Sequence, residues 1–319
     1  MAKKQPNLGL LDKVFVGLLL VIFGGIVLHA PLSVGLSTLF PSAEIVIKSW
    51  KEILLLITTV ISVVVLVKRK QTSLLKQPLI LLIAGYIALH LLLLPLDWNG
   101  VLSAAAGLLI DLRYLVFFEL VYLAIVMYPN LRRTFLKVFV AGALVVLGFA
   151  ILQVTVLPRD TLKYIGYGES SIMPYLTVDE NPDYVRISST LRGPNPLGAY
   201  AAVVLTLLIA FGMRGYYGQF KRPAFIVAIL GVGSVVALWV SYSRSALVGA
   251  MVAIVLVLLM TVGRRLSKWV WVSAIVVVMA IGGGLIAARN TDFVSNVIDR
   301  KSTRLNSSHS TLSRMPSSA

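Results

Sequence analysis

The chain contains no cysteine, and only three histidines occur among its 319 residues. The first absence excludes disulfides and thiolate metal sites, and the scarcity of imidazole argues against a histidine-based metal centre. We therefore expect neither a metal nor another cofactor. Charge is also scarce, since charged residues make up 13% of the sequence and hydrophobic residues 58%. This composition excludes a soluble domain and indicates a membrane protein.

Acidic residues are fewer than basic ones, 13 against 29, and the formal net charge is +16. Such an excess can favour nucleic-acid binding. Here, however, the basic residues cluster in every second gap between apolar stretches, around Lys4, Lys70, Arg133, Arg222 and Arg265. By the positive-inside rule those gaps are cytoplasmic. We therefore interpret the excess as a topology signal and expect no nucleic-acid partner.

Long apolar runs dominate the rest of the chain. Lipid offers the backbone no hydrogen-bond partner, so each run must satisfy its own amides, as a helix does. We predict an all-α fold: a polytopic transmembrane helical bundle of about nine spans with external loops, in the cytoplasmic (inner) membrane, in contact with membrane lipids and with a cytoplasmic N-terminus. The predicted spans are 14–30, 52–67, 78–94, 112–128, 135–157, 196–213, 223–241, 245–262 and 269–287.

Three further segments lie outside this pattern. The apolar stretch 101–110 is too short to cross a membrane alone, so we expect a re-entrant or interfacial helix there. The alternative, a merger with the next span, would make one overlong helix with Asp111 and Arg113 near mid-membrane. The longest hydrophilic gap, 158–194, is expected to be external. The last residues, 299–319, resemble the translation of a sequencing-library adapter, so we expect the transmembrane helical domain to be 1–298 and the tail to be an assembly scar. The alternative is a polar disordered tail.

Two polar motifs carry an arginine at a membrane boundary, and both fall on the predicted external side. Arg192 lies in the motif 188–200, and Arg244 lies in the tight turn 241–245 between two spans. A guanidinium in that position is costly unless it binds an anion or a partner, and it lies on the wrong side for an orientation anchor. The motifs therefore indicate a phosphate-binding site. The structural alternative is a boundary turn with a snorkelling arginine.

Other polar residues near these boundaries differ in what they indicate. Asn195 can cap the span that follows Arg192, and the serine hydroxyls of the 241–245 turn converge with Arg244. Glu119 lies about two helical turns inside a span, where an acid usually faces a cavity or a partner, and its functional and structural interpretations both stay open. His29 has no second ligand at metal spacing, so we interpret it as structural.

The segment 192–198, followed two spans later by Ser241-Tyr242-Ser243-Arg244, resembles the O-antigen ligase and polymerase family of polytopic membrane glycosyltransferases. The step Asp111-Leu112-Arg113-Tyr114 is similar to an earlier arginine site of that family. The resemblance covers 80–298. It implies transfer of a glycan from an undecaprenyl-diphosphate-linked donor to a glycan, lipid or protein acceptor on the external face of the membrane, as in the assembly of lipopolysaccharide and other cell-surface polysaccharides.

The same resemblance implies roles for individual residues. Arg192 and Arg244 would be catalytic and, together with Arg113, would bind or neutralise the departing diphosphate. The residues expected to bind the diphosphate or the glycan are Arg113, Asn195, Ser241, Ser243, Tyr200 and Glu119.

Members of that family usually continue into a large external loop, which carries a further arginine or histidine, and then into more spans. The resemblance thus implies that the sequence as given is truncated and inactive for lack of an acceptor-side residue. The residues alone fit a membrane transporter for an anionic solute or lipid-linked glycan equally well, and a purely structural membrane component is the third interpretation. They do not distinguish a ligase from a polymerase.

Overall fold

The computed structural model describes residues 9–98, 100–178, 181–214 and 223–262. The chain divides into two units, Met1–Ile254 and Val255–Ala319, and all contacts given below belong to the first. Of the second unit, residues 255–262 are described as the last turns of a helix, and the predicted span 269–287 and the tail 299–319 lie outside the described residues. The α-helices are α1 Leu10–Gly25, α2 His29–Leu39, α3 Glu44–Lys48, α4 Trp50–Lys68, α5 Pro78–Leu93, α6 Val101–Met127, α7 Leu131–Thr155, α8 Pro194–Met213, α9 Pro223–Val240 and α10 Arg244–Val262.

Six helical stretches in the described part of the chain are long and apolar enough to cross a membrane. They are Leu10–Leu39, Trp50–Lys68, Pro78–Leu96, Leu131–Thr155, Pro194–Met213 and Arg244–Thr261. The predicted all-α helical membrane bundle is thereby confirmed, as is a multi-pass membrane protein. Two further predicted spans are also helical: α9 is apolar but shorter, and α6 carries charged residues within it.

The prediction of a separate short helix at 101–110 is wrong, because these residues form the first turns of α6. Sequence hydropathy breaks at Asp111 and Arg113, but a helix can continue through charges that have a partner. Arg113 donates to Glu52, which lies in the first turn of α4. Arg113 therefore lies level with the start of α4, and residues 101–111 extend α6 beyond that level.

The first predicted span, 14–30, is part of a longer helical stretch that changes its winding in the middle. α1 leads through a 3-10 turn, Ile26–Leu28, into α2. Pro31 explains the change, since proline lacks the N–H that would bond the carbonyl of Val27. His29 is the first residue of α2 and so lies directly after this break.

Two groups of contacts define opposite ends of the bundle. At one end, called here the Asp12 end, the Asp12 carboxylate accepts from Arg69 and from the Tyr128 hydroxyl, the latter at 2.6 Å. Below it lies an apolar cluster that includes Phe15, Leu19, Val65, Leu120 and Ala124. At the other end, called the site end, α4 and α6 are held together by Glu52 and Arg113.

The second half of the bundle packs α7, α8 and α9 closely against one another. Its buried residues are small or branched, among them Ala143, Ala150, Leu197 and Ala201. Gly233 of α9 is a close-contact point, because a Cβ atom there would lie 2.9 Å from the Cβ of Leu147. This packing fixes the start of α8 and the α9–α10 turn at the site end.

The predicted external segment, 158–194, is folded. It contains a 3-10 turn, Thr161–Ile165, and two antiparallel strands, β1 Leu176–Val178 and β2 Asn181–Arg186, with Leu176 opposite Arg186. The side chains of Leu162 and Tyr167 are buried in one cluster with Val34 of α2. The segment is thus attached to the bundle at the site end, and β2 carries Arg186 toward the arginine motifs.

We expect a membrane-topology reporter to distinguish the two ends. A reporter that is active only in the cytoplasm should work when fused after Lys70 or Arg133, which lie at the Asp12 end, because the basic clusters there favour the cytoplasm. It should fail when fused after Glu169, in the segment attached to the site end. Activity after Glu169 would overturn the orientation on which the site assignment depends.

Candidate functional site

A polar cluster from three helices lies at the site end. Glu52 Oε1 accepts from Arg113 Nη1 at 2.7 Å and lies 3.0 Å from Lys51 Nζ. The same Lys51 Nζ is 3.0 Å from His29 Nε2, and the indole of Trp50 donates to His29 Nδ1 at 3.0 Å. The predicted Arg113 thus has an acidic partner, and it belongs to a connected network rather than standing alone.

Arg192 is exposed next to this network, in the turn between β2 and α8. Its charge and that of Arg113 both act on the imidazole of His29. The preceding residues anchor it: Ser189 adopts a left-handed backbone with φ of 51°, its N–H donates to Gln153, and its hydroxyl donates to the carbonyl of Val146. A non-glycine residue held at positive φ by several contacts is typical of a site that needs a fixed geometry.

Arg186, at the end of β2, connects the two predicted motifs. Its Nε donates to the carbonyl of Ser241 at 2.9 Å, and its Nη2 donates to the side-chain oxygen of Asn195 at 2.7 Å. Burial lowers the pKa of Arg186 from its ordinary value, but a guanidinium stays protonated at neutral pH. The end of β2, the start of α8 and the α9–α10 turn are therefore held together by a third arginine.

The turn 241–245 is as tight as the sequence predicts, and Tyr242 adopts a left-handed backbone with φ of 47°. The hydroxyls of Ser241 and Ser243 are buried: the first donates to the carbonyl of Leu238, and the second lies 3.4 Å from the N–H of Ala246. Both hydroxyls make their hydrogen bonds within the turn and its flanking helices. Their contact with a diphosphate stays a prediction. Arg244 begins α10 and is exposed.

The start of α8 presents fewer backbone donors than the sequence pattern indicates. The predicted span begins at Pro196, but the helix begins at Pro194, so both prolines fall in its first turn. Neither has an N–H, and the N–H of Leu197 bonds the carbonyl of Gly193. An anion at this position would therefore be bound mainly by guanidinium groups.

Gly198 allows α8 to approach the 241–245 turn closely. A Cβ atom at this position would lie 2.7 Å from Ser241 Oγ, 2.9 Å from Ala246 Cβ and 3.0 Å from Ser243 Cβ. The distance between the two motifs therefore depends on the absence of a side chain here.

We expect Gly198→Ala to lower the free energy of unfolding by about 1–3 kcal/mol, because overpacking outweighs the better helix propensity of alanine. Thermal unfolding in detergent measures this. The matched control is Gly231→Ala in α9, where the added Cβ meets nothing within 4 Å and the Tm should stay or rise. Equal Tm values for both variants would contradict the close contact.

Two of the predicted ligands lie away from this group. Tyr200 packs against Phe139 of α7, with the ring centroids 6.2 Å apart. Glu119 is half-buried on α6 and has no hydrogen-bond partner in the described part of the chain. Its neighbour Tyr122 donates instead to Gln77. The structure does not bring Glu119 to the arginine motifs.

Cations outnumber carboxylates in the group that Lys51, Arg113, Arg186, Arg192 and Arg244 form with Glu52. Among the described residues, Arg192 and Arg244 have no hydrogen-bond or ion-pair partner, and the one carboxylate that binds Lys51 and Arg113 is Glu52. Such a set of cations can neutralise an anion with several oxygens, such as a diphosphate. No group of three or more histidine, aspartate or glutamate side chains in the described ranges could hold a metal ion.

A groove of about 440 Å³ runs between α8 and α10 from this end. Asn195 and Ser245 line its polar beginning, and small or apolar side chains such as Ala199, Val203 and Gly249 line the rest. The groove therefore offers an apolar surface that starts next to the arginines.

Sequence reasoning missed four residues of this site: His29, Lys51, Glu52 and Arg186. The signal for Lys51 was present, because a lysine at an external boundary contradicts the positive-inside rule just as the arginines do. Arg186 carried no such signal, since it lies in a polar segment. His29 was interpreted as structural because its partners are far away in sequence. Comparison with protein-family models, with curated proteins and with solved structures returned no match to this chain.

Proposed function

We propose that the protein is a membrane glycosyltransferase of the O-antigen ligase and polymerase type. It transfers a glycan from an undecaprenyl-diphosphate-linked donor to an acceptor on the external face of the cytoplasmic membrane. One observation carries the proposal: Arg192 and Arg244, which the resemblance makes catalytic, lie at the same end of the bundle as Arg113, and Arg186 bonds both the start of α8 and the turn before Arg244.

The leaving group of this reaction is a polyprenyl diphosphate, which gains negative charge as the bond to the sugar breaks. Guanidinium groups near the leaving group stabilise that charge, and two-donor contacts suit phosphate oxygens. Arg192 and Arg244 are exposed and unpaired within the described residues, so they are available for this role. The groove between α8 and α10 begins beside them and would suit the apolar chain of the carrier.

A transporter for an anionic solute or lipid-linked glycan is the second candidate. The break at Ile26–Leu28 favours it, because transporters often place broken helices at their substrate sites. Both candidates share the cation group, but only the glycosyltransferase breaks a covalent bond.

Reconstitution of the protein, expressed from its complete gene, into liposomes separates these candidates. The liposomes carry an undecaprenyl-diphosphate-linked oligosaccharide, either alone as a test of polymerisation or with a lipid A–core acceptor as a test of ligation. In one of these two conditions we expect release of free undecaprenyl diphosphate and an acceptor of higher mass. Gel mobility and mass spectrometry measure both products. Movement of the intact donor between leaflets without bond cleavage would instead establish the transporter.

A further inference from the structure

Two tyrosines form an exposed aromatic pair at the site end. Tyr184 of β2 and Tyr242 of the α9–α10 turn lie with their ring centroids 6.2 Å apart and their ring planes at 80°. Tyr184 is 51% exposed and Tyr242 is 37% exposed, so a ligand can reach both rings although they contact each other. This pair is called here the tyrosine platform.

The contact that joins the arginine motifs also positions this platform. Successive side chains of a strand alternate between its two faces, so Tyr184 and Arg186 share one face of β2, while Val185 packs against the core of the bundle. Arg186 Nε donates to the carbonyl of Ser241, the residue before Tyr242. The strand β2 therefore supplies one ring and holds the turn that supplies the other.

The backbone of Tyr242 is unusual for a residue of its size. Its φ of 47° lies in the left-handed region, where glycine or asparagine is less strained than a residue with a large side chain. Strain of this kind is concentrated at ligand-binding and catalytic sites. The conformation of Tyr242 therefore points to a use for its ring beyond closing the turn.

We propose that the tyrosine platform binds the sugar of the donor glycan nearest to the diphosphate, an inference that rests on the proposed function. A pyranose ring has C–H groups on its two faces and hydroxyls around its rim. The C–H hydrogens carry partial positive charge and are attracted to the negative face of an aromatic ring, and the tyrosine hydroxyls can bond the sugar hydroxyls. Two rings at nearly a right angle can therefore contact the face and the edge of one sugar.

The distance from the proposed diphosphate site suits the first sugar of the donor. Arg244 follows Tyr242 by two residues, so their Cα atoms lie at most about 7 Å apart. In the donor, the first sugar is bonded directly to the terminal phosphate. A diphosphate bound by Arg244 therefore places that sugar within reach of the Tyr242 ring. The arginines thus bind the phosphates, and the platform binds the sugar.

The test measures sugar binding and phosphate binding separately, on the protein expressed from its complete gene and purified in a detergent without sugar groups. One probe is the oligosaccharide that mild acid releases from the lipid-linked donor pool of the cells that carry the gene. The other probe is inorganic pyrophosphate. We expect Tyr184→Ala and Tyr242→Ala each to weaken oligosaccharide binding about fivefold and to change pyrophosphate binding less than about twofold. Arg244→Ala should show the reverse, and phenylalanine at either tyrosine position should keep most of the oligosaccharide binding.

Tyr164→Ala is the matched control, because Tyr164 is a 78% exposed tyrosine of the same external segment outside the platform. It should bind both probes as the wild type does. Saturation-transfer NMR adds a direct measurement: irradiation of the aromatic protons should saturate the sugar C–H protons in the wild type and less so in the two alanine variants at the platform.

Each result supports or overturns the proposal. Unchanged oligosaccharide binding in Tyr184→Ala and Tyr242→Ala overturns it, and so does a parallel loss of pyrophosphate binding, since the tyrosines would then be structural. If the alanine variants do not fold, the wild type decides: no binding of the oligosaccharide, or no saturation transfer to it, also overturns the platform. A wild-type protein that binds the oligosaccharide but releases no undecaprenyl diphosphate in the liposome assay defeats the proposed function instead.

Discussion

Arg192→Ala and Arg244→Ala should each abolish glycan transfer, with a loss of at least 100-fold in the liposome assay. Each change removes a positive charge from the site proposed for the diphosphate, and removal of one donor to a developing charge typically costs a factor of about 100 to 1,000. The double variant should be little worse than either single one, because residues that act on one leaving group are not additive. Lysine at either position should restore only part of the activity, since an ammonium cannot make a planar two-donor contact.

The matched control is Arg133→Ala, an equally exposed arginine in the first turn of α7 at the Asp12 end. It should transfer glycan at the normal rate. All variants should reach the membrane in normal amounts, because Arg192 and Arg244 are exposed and contribute little packing. Normal acceptor glycosylation in cells that carry both substitutions would end the glycosyltransferase proposal and favour the transporter. Loss of the Arg192→Ala or the Arg244→Ala variant from the membrane would favour a structural role for the substituted arginine.

Asp12→Ala should lower the free energy of unfolding by about 2 kcal/mol, because it leaves the buried Tyr128 hydroxyl without its acceptor and the partly buried Arg69 guanidinium without a carboxylate partner. Asp12 is 5% exposed and also accepts from Tyr128, so three helices or their ends meet at this carboxylate. Equilibrium unfolding in detergent with increasing denaturant measures the loss.

Lys13→Ala is the control for this prediction, since Lys13 is the exposed neighbour of Asp12 on the same helix and should change stability by less than about 0.5 kcal/mol. Asp12→Ala combined with Arg69→Met should be more stable than Asp12→Ala alone, because the second change removes the unpaired charge. Equal stability of Asp12→Ala and the wild type would show that the Arg69 guanidinium is solvated by water at no cost in free energy. The Asp12–Arg69 contact would then not stabilise the Asp12 end.

The helices could be predicted because lipid imposes a length and a composition on every crossing segment. That rule fails where a helix contains charged residues. α6 continues through Asp111 and Arg113 because Glu52, distant in sequence, supplies a partner for the arginine. Pro31, in turn, could have indicated the break before His29, since the lost hydrogen bond follows from the residue alone.

The site could be predicted in part. Arg192 and Arg244 carry a signal because their position contradicts the rule that governs most other basic residues. The connection between them could not be predicted, because Arg186 reaches Ser241 and Asn195 only after β2 has formed and α9 has returned to the site end. Arg113, the distant partner of Glu52, comes from another helix, so this contact depends on packing rather than on any local pattern.

The helical stretch Leu10–Leu39 is longer than the hydrocarbon layer of a membrane is thick. Thirty helical residues extend about 45 Å, whereas the hydrocarbon layer measures about 30 Å. His29, nineteen residues after Leu10, lies about 28 Å along this axis. If Leu10 lies at one boundary of the hydrocarbon layer, His29 lies near the other boundary, and the rest of α2, where Thr38 lies against the turn at Gly166, extends beyond it. Under the proposed function, the network around His29 would then lie at the height where a carrier lipid anchored by its chain presents its phosphates.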